Sequence, residues 1–335
     1  MRISVIGAGS WGIALARLLY NNGNEVCVWS ALPDEIEMLN RHHEHIDKLS
    51  GVKLPEDMVF TTDLEFAMKG SKVLVMAVPS SFVRSTSASM KPFYDKEQII
   101  VNVAKGIEES TLKTLSEVIE DEIEGACVAV LSGPSHAEEV GRDIPTSIVV
   151  GADSKEKALF LQQVFMSDVF RVYASPDVLG IEIGAALKNV VALAAGIADG
   201  LGYGDNTKAA LITRGMAEIS RLGYAMGGRL ETFYGLSGVG DLIVTCASMH
   251  SRNRRAGILI GQGYSMQEAM DEVKMVVEGV YSAKAGLALA KKYNVSIPII
   301  EQVNYILFDG KSASDAVREL MVRDMKIEIS AEDWD

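Results

Sequence analysis

The chain has 335 residues, more than a typical single domain, so two domains are expected. Hydrophobic residues make up 48% of it, enough for a large core, which argues against a disordered or fibrous protein. There are 32 lysines and arginines against 45 aspartates and glutamates, a formal net charge of −13. This balance argues against nucleic-acid binders and polybasic membrane-surface proteins and, taken as an average, against anionic ligands.

The cysteines and the N-terminus predict a soluble cytoplasmic protein. Cys27, Cys127 and Cys246 lie far apart and form no CxxC pair, as is typical of free thiols in a reducing compartment. The first residues lack the pattern of a signal peptide. No run of about 18 apolar residues is present that would span a bilayer.

The first half of the chain alternates β-rich runs with helical patterns. We predict strands at residues 2–6, 25–29, 72–78, 98–103, 127–131, 146–150 and 169–174. Helical spacing covers residues 11–22, 33–41, 80–90, 112–122 and 154–165. Strands that alternate with helices imply crossover connections. The expected fold is therefore a Rossmann-type, doubly wound α/β sheet, mostly parallel, with helices on both faces.

Helical patterns dominate the second half, where strand signals nearly vanish. The helical segments are residues 177–201, 208–226, 242–250, 254–261, 266–273, 281–293, 299–307 and 313–323. We therefore predict an α/β domain at residues 1–176, followed by an all-α domain at residues 177–335.

The first predicted strand leads into a glycine loop with the spacing GxGxxG. Gly7 permits the tight turn, Gly9 lets a pyrophosphate approach the backbone, and Gly12 lets the helix pack closely on the strand. Free N–H groups and the helix dipole would then hold the phosphates. Because a strand precedes the loop and a helix and a second strand follow it, dinucleotide binding is favoured over a turn without a ligand.

The second predicted strand ends in Trp29-Ser30-Ala31. An aspartate or glutamate there would bind the ribose 2′-hydroxyl of NAD, and a nearby arginine would favour the 2′-phosphate of NADP. Neither is present, since Asp34 and Glu35 are predicted to begin the next helix. We therefore expect weak discrimination between NAD and NADP.

Polar groups also follow two later strands. Lys105 comes after the strand at 98–103, where a cation can meet a ligand beyond the sheet edge; an ordinary exposed lysine is equally favoured. Ser135 and Glu138 have the spacing of a capping box, which by itself explains Ser135. A capped helix start that faces the crevice is also an anion site, so the two interpretations are compatible.

Lys188 interrupts an apolar predicted helix. Its helical neighbours, such as Gly184 and Val191, are small or apolar. Desolvation there would lower the pKa of the lysine toward neutrality, which suits proton transfer. A lysine that extends to the surface explains the pattern equally well. Asn189 follows it and could serve as an adjacent hydrogen-bonding group.

Three further polar segments stand out in the sequence. Asp241 follows a glycine-rich loop and is placed to cap the next helix. Residues 251–255 read SRNRR; they form either a solvated basic helix face or a phosphate site, since guanidinium groups match phosphate oxygens. Residues 42–45 read HHEH and resemble a metal cluster only superficially, so no metal site is predicted.

Together these motifs resemble those of the soluble, NAD(P)-dependent glycerol-3-phosphate dehydrogenases. They are GAGSWG from Gly7, VPS from Val78, AKG from Ala104, SGPSHA from Ser132, KN from Lys188, GVGDL from Gly238, SRN from Ser251 and VEG from Val277. The resemblance covers essentially the whole chain in the family's order. It implies reversible reduction of dihydroxyacetone phosphate to sn-glycerol 3-phosphate by hydride transfer, a product that supplies phospholipid synthesis.

The resemblance also implies roles for single residues. Lys188 matches the general acid/base and Lys105 its partner, and Asp241 could orient or charge-balance Lys188. The substrate-binding positions are matched by Lys105, Gly133, Ser135, Lys188, Asp241, Ser251, Arg252 and Asn253. The predicted cofactor-binding residues include the loop glycines and Ser30. They are Gly7, Gly9, Ser10, Trp11, Gly12, Ser30, Lys105, Ala137, Arg252, Val276, Val277 and Glu278. Relatives often carry arginine or another larger polar residue at Ser30-Ala31, which leaves the cofactor preference open.

Two alternative functions stay open. A β-hydroxyacid dehydrogenase of similar two-domain build usually shows a Lys-x-x-Asn spacing, whereas Lys188 and Asn189 are adjacent. A non-enzymatic dinucleotide sensor would not need both lysines and an arginine cluster at once. The expected ligands are NAD or NADP, dihydroxyacetone phosphate and sn-glycerol 3-phosphate, with no metal, nucleic acid or membrane insertion. The oligomeric state is open, a homodimer included.

The negative charge is unevenly distributed along the chain. Residues 1–180 carry 16 basic and 26 acidic residues, whereas residues 181–264 carry 8 basic and 6 acidic ones. We therefore expect a local basic pocket for one phosphate within an acidic protein, and the argument against anionic ligands does not hold for this window.

Overall fold

The computed structural model describes residues 1–325, and its first part is built around one sheet. The strands are β1 (Arg2–Ile6), β2 (Glu25–Trp29), β3 (Val59–Thr61), β4 (Val73–Met76), β5 (Ile99–Asn102), β6 (Cys127–Ser132), β7 (Thr146–Gly151) and β8 (Phe170–Ser175). Their order is β3-β2-β1-β4-β5-β6-β7-β8, and all neighbours are parallel except β6 and β7. The predicted doubly wound, mostly parallel sheet is confirmed.

Seven helices belong to this α/β region. They are α1 (Ser10–Asn21), α2 (Pro33–His42), α3 (Leu64–Met68), α4 (Val83–Met90), α5 (Leu115–Glu122), α6 (Ala137–Val140) and α7 (Lys155–Phe165). Short 3₁₀ turns at Ser80–Phe82 and Lys91–Phe93 flank α4.

The rest of the described chain is helical, as predicted. It contains α8 (Val178–Gly200), α9 (Asp205–Ala225), α10 (Leu230–Phe233), α11 (Asp241–Ala247), α12 (Arg252–Gly261), α13 (Met266–Val273), α14 (Glu278–Lys292), α15 (Pro298–Phe308) and α16 (Ala313–Met321). A π-helical turn, Leu236–Gly240, precedes α11.

The sequence prediction missed β3, α3 and α10. β3 has three residues, pairs only with β2 at the sheet edge, and leaves Val59 38% exposed. α3 and α10 have five and four residues. Elements this short complete too few periods for hydrophobic spacing to reveal them.

Successive residues of a strand point to opposite faces of the sheet, and both faces are buried here. In β1, Ile3 and Val5 join the core beneath α1, while Ile6 joins a second core with Leu74 and Met76 of β4. The ligand-binding edge of a parallel sheet is the one at the carboxyl ends of the strands.

α8 forms the centre of the helical region. Within residues 1–325 it is the one helix long and apolar enough to cross a membrane, yet 89% of its most apolar window is buried inside the protein. Glycines bring α12 very close to it, since a Cβ at Gly196 would lie 2.1 Å from the carbonyl oxygen of Arg254. This close approach fixes the position of the arginine-rich start of α12 relative to α8.

The two regions meet between β8, which ends at Ser175, and α8, which begins at Val178. Asp177 caps α8, and its side chain accepts a hydrogen bond from the Gly180 N–H at 2.9 Å. The division into domains at residues 1–176 and 177–335 stays a prediction, and its last ten residues lie outside the described part of the chain.

Candidate active site

The loop between β1 and α1 has the shape of a phosphate cradle. Gly7 has a φ of +119°, and a Cβ there would lie 2.8 Å from the carbonyl carbon of Ala77. A Cβ at Gly12 would lie 2.1 Å from the Gly7 carbonyl oxygen, so α1 packs on the loop only because residue 12 is glycine. A Cβ at Gly9 would meet no atom within 4 Å, which leaves open space beside the backbone for a ligand.

The first turn of α1 adds a side-chain donor to this loop. Ser10 begins the helix, and no side chain caps it. The indole Nε1 of Trp11 is buried and has no hydrogen-bond partner among the described residues. A buried donor without a partner is costly, and an acceptor on a bound molecule would satisfy it. The cradle, the open space at Gly9 and this donor together fit a dinucleotide.

The end of β2 differs from the sequence interpretation. Ser30 Oγ donates to Glu35 Oε2 at 2.5 Å, while Glu35 Oε1 lies 2.9 Å from His45 Nε2 and 2.6 Å from Lys48 Nζ. Burial acts to raise the pKa of the Glu35 carboxyl, but hydrogen bonds from His45, Lys48 and Ser30 lower it to about 2. Glu35 lies in α2 as expected, yet its carboxylate returns to the end of β2. The inference that this strand end lacks an acidic group is therefore wrong.

The segment after β6 also differs from the sequence prediction. The predicted capping box of Ser135 and Glu138 is wrong, because α6 begins at Ala137, one residue later than that spacing requires. The N-cap residue is His136, and its side chain makes no capping hydrogen bond. Ser135 Oγ instead donates to the Gly133 carbonyl oxygen at 2.9 Å.

Two lysines from distant parts of the chain meet at one carboxylate. Lys105 Nζ donates to Asp241 Oδ2 at 2.8 Å and to the Gly133 carbonyl oxygen at 3.2 Å. Lys188 Nζ donates to Asp241 Oδ1 at 2.5 Å and to Thr245 Oγ1 at 2.6 Å. The turn after β5, the middle of α8 and the first turn of α11 thus converge. We name Lys105, Lys188, Asp241 and Thr245 the lysine cluster.

Burial determines the electrostatics of the lysine cluster. The side chains of Lys188 and Asp241 are only 6% and 1% exposed. Burial lowers the pKa of Lys188 to about 7 despite the Asp241 carboxylate, and the charge of Lys105 adds to the lowering. Burial acts to raise the pKa of Asp241, but the two lysine charges hold it below its ordinary value. The cluster therefore combines a permanent carboxylate with a lysine that exchanges a proton near neutral pH.

The alternative explanations for these residues are now decided. Lys188 does not extend to the surface, because its ammonium group is enclosed by Asp241 and Thr245. Asp241 is not the N-cap of α11; Gly240 precedes it in that position, and the carboxylate contacts the lysines instead. Asn189 takes no part in the cluster, since its Oδ1 accepts a hydrogen bond from Asn253 Nδ2 at 2.9 Å.

The arginine segment at the start of α12 is not a solvated basic face. Arg254 Nε donates to Asp199 Oδ2 at 2.8 Å, so its charge is compensated. Arg252 forms no hydrogen bond or ion pair with the described residues. Burial lowers the pKa of Arg252, while the nearby charges of Glu278 and Glu138 oppose the effect. Arg252 is therefore a partly buried guanidinium without a partner among residues 1–325, as a phosphate site requires.

The other two polar residues of this segment order the helix start. The Ser251 hydroxyl caps α12 and accepts from the Arg254 N–H at 3.2 Å. Asn253 donates to Asn189 and accepts from the Gly279 N–H at 2.8 Å, which joins α12 to α8 and α14. Direct contacts of Ser251 and Asn253 with a substrate stay a prediction.

The start of α14 contacts the α/β region. The Glu278 carboxylate accepts from the Ser80 N–H at 3.1 Å and from the Ser80 hydroxyl. Burial raises the pKa of Glu278, although both contacts with Ser80 act against the rise. Its Oε2 lies 3.6 Å from where a Cβ of Gly106 would be, so it is next to the turn that carries Lys105. Val277 is the N-cap residue, and Val276 precedes it.

Sequence reasoning missed two residues of the site. Thr245 lies one helical turn after Asp241 on α11, and that spacing is the signal that could have found it. The Nε2 of His136 is buried and has no hydrogen-bond partner in the described part of the chain, and burial together with the charge of Lys188 lowers the pKa of this histidine. Its position after the carboxyl end of β6 was a usable signal.

The histidine-rich segment at residues 42–45 does not converge on one point. His45 contacts Glu35, and Glu44 Oε1 accepts from the Gly51 N–H at 2.7 Å. Among residues 1–325, no group of three or more histidine, cysteine, aspartate and glutamate side chains is arranged to hold a metal ion.

Comparisons with known proteins assign the chain to a family. The models of the N-terminal and C-terminal parts of NAD-dependent glycerol-3-phosphate dehydrogenase match residues 2–158 and 177–318. Glycerol-3-phosphate dehydrogenases (NAD(P)+) of Agathobacter rectalis and Fusobacterium nucleatum are 64% and 62% identical over 333 residues, 99% of each chain. The crystal structure of glycerol-3-phosphate dehydrogenase from Coxiella burnetii is 36% identical, with a TM-score of 0.93 over 96% of this chain and 99% of that one. The chain therefore belongs to the NAD-dependent glycerol-3-phosphate dehydrogenase family.

Proposed function

We propose that this protein is an NAD(P)-dependent sn-glycerol-3-phosphate dehydrogenase that reversibly reduces dihydroxyacetone phosphate. The observation that carries the proposal is the lysine cluster, in which Lys105 and Lys188 meet Asp241 at 2.8 and 2.5 Å. Two ammonium groups on one carboxylate leave a net positive charge in a buried place, which is what an alkoxide forming from a ketone needs.

Lys188 is the proton donor in the reduction. When bound, the reduced nicotinamide supplies a hydride to the carbonyl carbon of the substrate. The carbonyl oxygen takes a proton from the Lys188 ammonium group and becomes the hydroxyl of sn-glycerol 3-phosphate, which leaves the lysine as a neutral amine. A pKa of about 7 makes this proton available at neutral pH and lets the amine take it back in the reverse direction.

Lys105 and Asp241 support this transfer. Lys105, whose side chain is 19% exposed and contacts Asp241, places its Nζ where it stabilises negative charge on the substrate oxygen. Asp241 accepts a hydrogen bond from each Nζ atom, one on each carboxylate oxygen, and so holds the two lysines next to each other. Thr245 accepts the second hydrogen bond of Lys188 and limits the positions that its Nζ occupies.

Arg252 is the phosphate-binding residue of this proposal. Its guanidinium group lacks a protein partner among residues 1–325 and stands at the start of α12, which close glycine contacts hold against α8. A phosphate bound there anchors the substrate away from the reacting carbon, so binding energy is used to orient the carbonyl group. The basic window at residues 181–264 includes this arginine and Lys188.

The surroundings of Ser30 support the use of both NAD and NADP. Glu35 provides a carboxylate where NAD-dependent enzymes bind the ribose 2′-hydroxyl. Ser30, which directly follows β2, donates a hydrogen bond to this carboxylate. Lys48 pairs with Glu35 at 2.6 Å and is 36% exposed, so it offsets the repulsion that a 2′-phosphate would meet. We infer weak discrimination between the two cofactors from this balance of charges.

One assay tests the proposed function directly. Oxidation of NADH and of NADPH is followed with dihydroxyacetone phosphate, with unphosphorylated dihydroxyacetone and, in the reverse direction, with β-hydroxy acids. We expect turnover that depends on the phosphate group. Equal rates with both ketones would refute the proposal, turnover of hydroxy acids alone would favour the β-hydroxyacid dehydrogenase, and cofactor binding without turnover would favour a sensor.

The remaining expectations concern the cellular setting. We infer a cytoplasmic enzyme whose product supplies phospholipid synthesis, which is consistent with an apolar helix α8 that is buried as a core element. A homodimer stays a prediction, and light scattering on the purified protein measures it.

A further inference from the structure

Glu182 is a buried acidic residue that the mechanism above does not use. It lies in α8, N-terminal to Lys188, and is 6% exposed. Burial raises the pKa of its carboxyl to about 7, although hydrogen bonds to the carboxylate oppose the rise. Its Oε2 has no partner among the described residues. A carboxyl group is costly to bury in this way, so its contacts need an explanation.

The contacts of Glu182 lead out of α8 into the α/β region. Its Oε1 accepts from Asn102 Nδ2 at 3.1 Å and from the Ser116 N–H at 3.0 Å. Asn102 is the last residue of β5, and Ser116 lies in the first turn of α5. Within residues 1–325, no lysine, arginine or histidine forms an ion pair with Glu182. The carboxyl group therefore acts as a hydrogen-bond acceptor between the two regions.

Asn102 also forms hydrogen bonds within the turn that carries Lys105. The Asn102 Oδ1 accepts from the Ala104 N–H at 3.1 Å, and its Nδ2 also lies 3.3 Å from the Ala104 carbonyl oxygen. Residue 105 follows directly, and its Nζ reaches Asp241. The side-chain amide of Asn102 can take only a few orientations that satisfy all of these partners, so the turn has one conformation.

We propose that Glu182 is a positioning residue for Lys105: it orients the Asn102 amide, which holds the turn at residues 102–105 so that Lys105 reaches Asp241. The contacts form a closed ring from α8 through Glu182, Asn102 and Lys105 to Asp241, and back to α8 through Lys188. The two lysines thus keep their relative position because one helix supports both. This inference rests on the proposed function for the role of Lys105 but not for the contacts themselves.

Glu182→Met tests the proposal, because methionine is unbranched and has no acceptor oxygen. With the Asn102 amide released, Lys105 moves from Asp241, and kcat/KM for dihydroxyacetone phosphate falls by about tenfold to a hundredfold. Glu182→Gln keeps one acceptor oxygen and restores most of the parent kcat/KM. Asn102→Ala breaks the next link and gives the same loss, and the double variant loses no more than either single one.

A second measurement is independent of turnover. The groups that face Lys188 are Lys105 from the turn after β5, His136 from the segment before α6, and Asp241, Thr245 and Cys246 from α11. When Lys105 leaves, its charge no longer lowers the pKa of Lys188, and Asp241 acts on Lys188 alone. The pKa of Lys188, measured by NMR on ¹³Cε-labelled lysine in the unliganded protein, therefore rises in Glu182→Met.

Glu218 provides a matched control. It is 2% exposed in α9, burial raises the pKa of its carboxyl to about 7, and the carboxylate accepts from the N–H groups of Ile299 and Ile300 at 2.8 and 3.2 Å. Glu218→Met removes similar contacts from a helix start away from the lysine cluster. We expect it to lower the thermal midpoint as Glu182→Met does, with kcat/KM and the pKa of Lys188 unchanged.

The outcomes separate positioning from stability. If Glu182→Met lowers the thermal midpoint but leaves kcat/KM and the pKa of Lys188 as in Glu218→Met, the proposal is overturned. If Glu182→Met does not fold, the same two measurements, kcat/KM and the pKa of Lys188, are made on Asn102→Ala, and unchanged values overturn the proposal. Glu182→Gln with the full loss of kcat/KM also contradicts the acceptor role. A parent protein inactive on dihydroxyacetone phosphate would refute the proposed function, while the NMR measurement would still decide whether Glu182 controls Lys105.

Discussion

In the proposed function, the glycine loop and the lysine cluster serve one site in contrasting ways. The loop is a continuous stretch, residues 7–12, in which backbone shape and the absence of Cβ atoms create the space for a ligand. The lysine cluster joins side chains that are 136 and 53 residues apart in sequence, and its properties come from charge in a buried place. The loop is therefore sensitive to added volume, and the cluster is sensitive to lost charge.

This difference separates binding from chemistry. We expect a change in the loop to act on cofactor affinity, because the loop contributes no proton and no charged side chain. A change in the cluster acts on the proton transfer step, because Lys188 and Asp241 are almost fully enclosed and contact each other rather than the loop. Single substitutions in and around each region test this difference.

We expect the largest effect from Lys188→Ala. Loss of the proton donor lowers kcat by about 10²- to 10⁴-fold, while the affinity for NADH, measured by fluorescence titration, stays at the parent value. In the parent, kcat/KM for reduction falls as the pH rises through about 7, since Lys188 must be protonated, and the oxidation profile rises over the same range. Lys284→Ala, an exposed lysine near Glu109, is the control and should keep full turnover. Near-parent turnover in Lys188→Ala would contradict the assignment.

Arg252→Ala should give the next largest effect. A guanidinium hydrogen bond to a charged group contributes about 1.5–3 kcal/mol, so kcat/KM for dihydroxyacetone phosphate falls by about tenfold to a hundredfold. The rate with unphosphorylated dihydroxyacetone changes little. Arg221→Ala removes an arginine that donates to the Ser296 carbonyl oxygen on the exposed surface and serves as the control. Equal losses on both ketones would argue against a phosphate contact.

Gly12→Ala tests the loop in the same assays. The added Cβ would lie 2.1 Å from the Gly7 carbonyl oxygen, so the loop must shift, at a cost of about 1–3 kcal/mol. We expect the Kd for NADH to rise by about tenfold and kcat at saturating cofactor to stay near the parent value. Gly23→Ala is the control for a glycine with open space around it, although its φ of +81° adds strain outside the site. A loss in kcat without a change in Kd would erase the distinction between the two regions.

The smallest effect is expected from Lys48→Ala. Removing this half-exposed lysine leaves the Glu35 carboxylate without its nearest compensating charge, so kcat/KM for NADPH falls by about two- to fivefold more than for NADH. Lys53→Ala, which removes the exposed partner of Glu44, should leave the ratio unchanged. The same decrease with both cofactors would show that the end of β2 does not sense the 2′-phosphate.

Local pattern predicted the parts of this protein whose contacts are short in sequence. The β1 strand, the glycine loop and α1 follow each other directly, so spacing alone was sufficient. Such reasoning failed where a one-residue offset mattered: α6 begins at Ala137, so Ser135 and Glu138 cannot form their capping box. It also left Lys105 and Lys188 undecided between site and surface, because a lysine in an apolar pattern has the same sequence signal in both cases.

Local sequence pattern predicted the succession of strands and helices and the glycine loop, and the family's motifs pointed to the residues that we propose carry the chemistry. The contacts between distant segments emerged only from the fold: Lys105 and Lys188 share Asp241, and Glu35 contacts Ser30. Likewise, Arg254 pairs with Asp199, whereas Arg252 has no hydrogen bond or ion pair with residues 1–325. These contacts could not be predicted because hydrophobic periodicity indicates only whether a segment is buried. The partner of a buried charge depends on which distant segments cross there.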